Sequence, residues 1–187
     1  MVQSVELLLD PASEAAVRAE WDRLLDASLP SLGRHTGPGN RPHVTLAVAK
    51  VIAPPQESAL SGVAQPMPLP VLLGAPLVFG AGPFVLARSV VPSVDLLTFQ
   101  ARVVTSLGDA ARPFAHQQGP GRWTGHVTLA RKLSASDLML ALGVLRPLPV
   151  IEATAVSLRR WDGDARIEWT VRPGAPSQEA TQARLGN

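Results

Sequence analysis

Two identical tetrapeptides hold half of this chain's histidines: His43-Val44-Thr45-Leu46 and His126-Val127-Thr128-Leu129. The chain has only four histidines in 187 residues, and the two copies lie close to half its length apart. An imidazole titrates near neutrality, so a neutral one and a protonated one can serve one reaction as base and acid. A threonine hydroxyl beside each can donate to an oxygen on which negative charge develops. Cleavage of a phosphodiester asks for that set: a base for the attacking oxygen, an acid for the leaving oxygen, and donors for the non-bridging oxygens. It requires no metal and no cofactor. A pair of histidines without Asp, Glu or Cys nearby is a poor metal site, although such pairs can take up zinc adventitiously.

Val, Thr and Leu in polar/apolar alternation read as strand in both copies. Residues two apart on a strand share a face. His43 and Thr45 then project together, opposite Val44, Leu46 and Val48, and His126 and Thr128 project together, opposite Val127 and Leu129. If the second strand stays regular, Arg131 faces away from His126, and Lys132 is the phosphate candidate. The Gly- and Pro-rich stretches Ser31–Pro42 and Gln117–Gly125 are loops that feed the two motif strands and should border the site.

The remaining elements follow from caps and breakers. Val2–Leu9 is a strand, and Asp10-Pro11 opens a helix to about Ser28. Pro54-Pro55 begins a short helix through Val63. Strands at Val71–Phe79 and Phe84–Val90 flank a turn. Ser93 caps a helix to about Ala111, with Val94, Leu97, Ala101, Val104 and Leu107 on its apolar side. Ser134 or Ser136 caps a helix to Leu145, and strands Val150–Trp161 and Ala165–Val171 join through Asp162-Gly163-Asp164. The order strand, long helix, Gly/Pro loop, motif strand, short helix, strand occurs twice, starting at Val2 and again at Phe84. Fold class is α+β, with antiparallel neighbours inside each half.

Paired His-x-Thr-x motifs, one in each half, resemble those of the two-histidine (2H) phosphoesterase superfamily, which includes 2′-5′ RNA ligase and 2′,3′-cyclic phosphodiesterase proteins. The resemblance covers residues 2–172. It implies two pseudo-symmetric lobes, each a mainly antiparallel sheet backed by helices, with the motif strands facing one another across a central cleft. It also implies that His43, Thr45, His126 and Thr128 carry the chemistry. The substrate it implies is a 2′,3′-cyclic phosphate or a 2′-5′ phosphodiester in a nucleotide or RNA end, with 2′-5′ ligation as the reverse reaction. The rival reading is an RNA-end or nucleotide-binding protein with little turnover, and a third is a domain in which both histidines are structural. A pure binder has no need of two titrating imidazoles, which favours the enzyme.

Substrate-binding candidates are Arg41 and Arg122, each a few residues before a motif histidine, where a guanidinium could hold a phosphate bidentately. Trp123 could stack on a base, or pack partly buried. His35 and His116 read as solvated bystanders, and Glu6 could face the cleft or an exposed edge. The chain has no tyrosine and four Phe, so a base clamp would have to be Trp or Phe.

Composition narrows the class. The chain is 46% hydrophobic and carries no cysteine, so disulfide frameworks and Cys-based zinc or redox sites are excluded. No apolar run is long enough to span a bilayer, and no basic leader opens the chain, so the expectation is a soluble, cytoplasmic monomer. Net charge is +2, with acids concentrated before residue 30 and arginines from Arg102 onward. This suits an anionic ligand on the C-terminal half, but it is too mild for a polynucleotide track. Residues 1–172 form one bilobal domain, and 173–187 form a polar tail.

Overall fold

Asp10 ends the first strand and starts the first helix, because its carboxylate serves both. Oδ1 accepts from the N–H groups of Ala12 and Ser13, capping the helix, and Oδ2 accepts from Ser13 Oγ and from Thr154 N on a neighbouring strand. The Ser13 hydroxyl bond and the backbone bonds hold this carboxyl down, at about 2. In the computed structural model, residues 3–37, 39–64, 67–111 and 121–172 are described. His116, residues 117–120 of the 117–125 loop and the tail from 173 lie outside the described residues.

The elements are β1 (Gln3–Leu9), α1 (Pro11–Asp26), β2 (His43–Ala49), α2 (Pro54–Val63), β3 (Leu69–Phe79), β4 (Phe84–Val90), α3 (Val94–Leu107), β5 (His126–Leu133), α4 (Ala135–Val144), β6 (Ile151–Asp162) and β7 (Ile167–Val171). Ser93 and Ser134 cap α3 and α4 through their hydroxyls, and Asp137 closes a capping box with Ser134. Between β6 and β7, Asp162 Oδ1 accepts from Asp164 N and Ala165 N, and the left-handed residue of the turn is Arg166.

All strand pairs are antiparallel and join one seven-stranded sheet in the order β2-β1-β6-β3-β4-β5, with β7 added to β6. Exchanging β1 with β4, β2 with β5 and β3 with β6 reverses this order and leaves it unchanged. The two halves are therefore related as the sequence repeat implies, but each half gives its third strand to the other. The lobes are β2-β1-β6 and β5-β4-β3, and β3–β6 pairing makes them a continuous sheet. The sequential pairs inside a half, β1–β2 and β4–β5, are antiparallel as expected, whereas β3 and β6 each pair with strands of the other half.

The helices cross in the same way. Trp21 on α1 donates its indole N–H to Thr128 O of β5, and Gln100 on α3 donates to Leu46 O of β2. The core between them buries Leu7, Leu9, Leu24, Leu46, Leu86 and Leu129 at 1% exposure or less. On α3 the buried positions are Leu96, Phe99, Gln100, Val103 and Leu107, whereas Val94 and Leu97 are exposed. The helix carries two apolar stripes one residue apart, and packing selects the one that holds its only phenylalanine. Buried Glu20 and Arg88 pair inside this core, with Arg88 also donating to Gly74 O and Pro149 O. No helix among the described residues is long and apolar enough to cross a membrane.

Candidate active site

The motif strands β2 and β5 occupy the two ends of the sheet order, yet they meet: Trp123 Nε1, three residues before His126, donates to Thr45 O at 3.1 Å. Each motif histidine is held in the same way. His43 Nδ1 lies 2.6 Å from Arg41 O, and His126 Nδ1 lies 2.9 Å from Thr124 O, in both cases the carbonyl two residues upstream. A carbonyl only accepts, so Nδ1 carries the proton in both rings and Nε2 is left to exchange one. His43 is partly open, His126 is 9% exposed and Thr128 8%. These two carbonyl bonds were invisible in the sequence, since any residue type could supply the acceptor.

The residues around the carbonyl under His43 are bonded to side chains of α1. Arg41 donates to Glu14 Oε2 through Nε (3.0 Å) and Nη2 (2.6 Å), and Arg18 reaches Asn40 O at 2.9 Å. Burial opposes ionisation of Glu14, but bonds from Arg41 and Arg18 outweigh it and hold the carboxyl below its usual range. The Arg41 guanidinium is thus occupied by Glu14, while its carbonyl orients His43. Arg122 is exposed, and His35 is exposed too.

Glu6, opposite Thr45 on β1, does face the site: its Oε1 is 3.6 Å from His43 Nε2. Its Oε2 accepts from Arg159 Nε at 2.9 Å and Nη2 at 2.5 Å, and Ser4 Oγ donates to Oε1 at 2.6 Å. Burial pushes the Glu6 carboxyl up, but His43, Arg159 and the Ser4 hydroxyl together bring it below the usual range. Arg159 is completed by Glu168 (2.6 Å) and Gly39 O (2.9 Å).

Bulges correct two of the expected faces. On β2, Val5 faces Ala47 and Glu6 faces Thr45, so Leu46 is the extra residue and Val48 pairs with Ser4 on the Glu6 and Thr45 side. On β5, Ala87 faces Thr128 but Leu86 faces Ala130, and beyond that Arg131 and Lys132 together span a single residue of β4. One inserted residue switches the alternation. Arg131, not Lys132, therefore shares a face with His126. Lys132 is exposed and adopts φ of 60°.

Arg131 lines a cavity of about 360 Å³ together with Phe79, Gly80, Pro83, Val85, His126 and Thr128. The Phe79 ring lies 4.7 Å from the His126 ring at 56°. The β3–β4 turn thus supplies an apolar wall beside one imidazole and hydroxyl, and Arg131 adds a cation to the same lining. Nothing in the sequence pattern pointed to Phe79 or Pro83. Trp123 is half-buried against the core with its N–H engaged by Thr45. No cluster of three or more His, Cys, Asp or Glu suited to a metal ion occurs among the described residues.

Residues 10–165 match the family described as the 2′-5′ RNA ligase superfamily. Similar solved structures include Usb1 of Kluyveromyces marxianus, at 13% identity over 91% of this chain and 97% of that chain, with a TM-score of 0.48. The same protein with uridine monophosphate aligns at 16% identity over 91% and 98%, with a TM-score of 0.49. E. coli LigT complexed with NADP+ aligns at 12% identity over 90% and 91%, with a TM-score of 0.48. No curated protein matches the chain in sequence.

Proposed function

Because the chain belongs to the 2′-5′ RNA ligase superfamily of two-histidine phosphoesterases, we propose that it opens a 2′,3′-cyclic phosphate, or splits a 2′-5′ phosphodiester, at the end of a nucleotide or RNA without a metal. The observation that carries this is the matched bonding of His43 and His126. Both rings have Nδ1–H tied to a backbone carbonyl, so both Nε2 atoms are set for proton transfer.

In hydrolysis, one neutral imidazole takes a proton from water through Nε2 as the water oxygen bonds to phosphorus. The bond from phosphorus to one ribose oxygen breaks, and the other imidazolium gives that oxygen its proton. The product is a phosphate monoester, and the two rings have exchanged protonation states. Thr45 and Thr128 donate to the non-bridging oxygens, where charge builds. With an RNA 5′-hydroxyl in place of water attacking a 2′,3′-cyclic phosphate, the same two proton transfers form a 2′-5′ bond and release the 3′-hydroxyl. The cavity beside His126 seats the nucleoside against Phe79 and Pro83, with Arg131 near the phosphate.

The test is turnover by the purified protein, in EDTA, of a panel of 2′,3′-cyclic nucleotides and 2′-5′ dinucleotides. We expect one class to yield a single monoester with undiminished rate. No turnover of either class, or turnover abolished by the chelator, overturns the reading.

A further inference from the structure

The hydrogen-bonded path from His43 to His126 through the sheet runs across all six strands of the main order, β2-β1-β6-β3-β4-β5. Twist varies at every strand pair, so such a path is a poor ruler for two groups that must grip one phosphate. A much shorter path exists. Thr45 O accepts the indole N–H of Trp123, the next residue along is Thr124, and Thr124 O accepts Nδ1–H of His126. Two hydrogen bonds and one peptide link therefore run from the threonine of one motif to the histidine of the other.

The local chain is shaped for this link. A Cβ at Gly125 would lie 2.7 Å from the Trp123 ring, so the glycine is what allows the indole to lie over its own backbone. Gly125 O in turn accepts from Val90 N at 2.9 Å, fastening the segment to β4. Thr128 O, the other motif threonine's carbonyl, also receives an indole, but from Trp21 on α1. Among the described residues, Trp123 is the indole that spans from one motif to the other.

We propose that Trp123 is a positioning residue that sets the separation of the two His/Thr half-sites. The proposal rests on the phosphoesterase reading for its kinetic consequence and is independent of it for its structural one. Trp123→Phe keeps a ring and removes the N–H. Its kcat falls about tenfold while KM stays within about twofold, since alignment matters most in the transition state. In a His126→Ala background the same change has no further effect on residual turnover, because no second imidazole remains to be aligned. Gly125→Ala, which displaces the indole while keeping its N–H, reproduces the loss and serves if Trp123→Phe folds poorly.

The chain has no cysteine, so spin labels can be placed at will. Val51→Cys beyond β2 and Met139→Cys on the helix after β5, both exposed, report the distance between the lobes in the full-length protein. The distance distribution is narrow in the parent and broadened or shifted with Trp123→Phe. An unchanged distribution overturns the proposal whether or not the protein cleaves phosphodiesters. So does an equal loss of kcat in the parent and His126→Ala backgrounds, which would mark Trp123 as a general stabiliser. A parent protein inactive on every phosphodiester overturns the function instead, and the distance measurement then decides Trp123 alone.

Discussion

Replacing Glu6 with Gln keeps the shape of a side chain that is 4% exposed and removes its charge. In the native protein Glu6 Oε2 takes two N–H groups of Arg159, itself 3% exposed. Orphaning a buried cation completely costs about 3–5 kcal/mol. Arg159 would keep Glu168 at 2.6 Å and Gly39 O at 2.9 Å, and Glu168 is more open to solvent. The expected loss is therefore smaller, about 2–3 kcal/mol at neutral pH. The pH dependence is the sharper check. The folded-state carboxyl lies below the ordinary value of 4.5, so its contribution is complete above that value. It fades as pH falls below 4.5 and through the lower native value, since the unfolded chain takes up the proton first. Urea unfolding of both proteins from neutral pH down to about pH 3 should show the gap between them closing in acid. A gap that stays constant with pH, or a neutral-pH loss under about 0.5 kcal/mol, refutes the assigned role of the Glu6–Arg159 pair.

His43→Ala and His126→Ala should each lower kcat by about 10²–10⁴-fold on any substrate the protein cleaves, and the double variant should lose little more than either alone. Steady-state rates decide this, and two independent, multiplying losses would show that the imidazoles do not share a transition state. Arg131→Ala should raise KM for a phosphodiester severalfold, whereas Lys132→Ala should leave it unchanged, since only Arg131 lines the cavity. The opposite ranking would mean that the β5 bulge does not set which cation meets the substrate.

Much of this molecule was legible locally. The duplicated motif singled out His43, Thr45, His126 and Thr128 as the candidates for chemistry, because His and Thr are scarce here and their chemistry is specific. Asp10, Ser93 and Ser134 marked helix starts, since a cap is a bond between residues two or three apart. The span Phe84–Val90 is the observed β4, bounded by Pro83 and by Pro92 and Ser93. What the sequence left open is what depends on distant partners. The exchange of β3 and β6 between lobes is a choice among strands of similar pattern, settled by how the whole core closes. The switch from Lys132 to Arg131 comes from a bulge, and the count of residues facing β4 is a property of the pair rather than of β5. Glu6 could be read as an edge residue until β6 brought Arg159 across from it. The carbonyls of Arg41 and Thr124 that orient the histidines leave no mark at all, because every residue has one and only folding decides where it points.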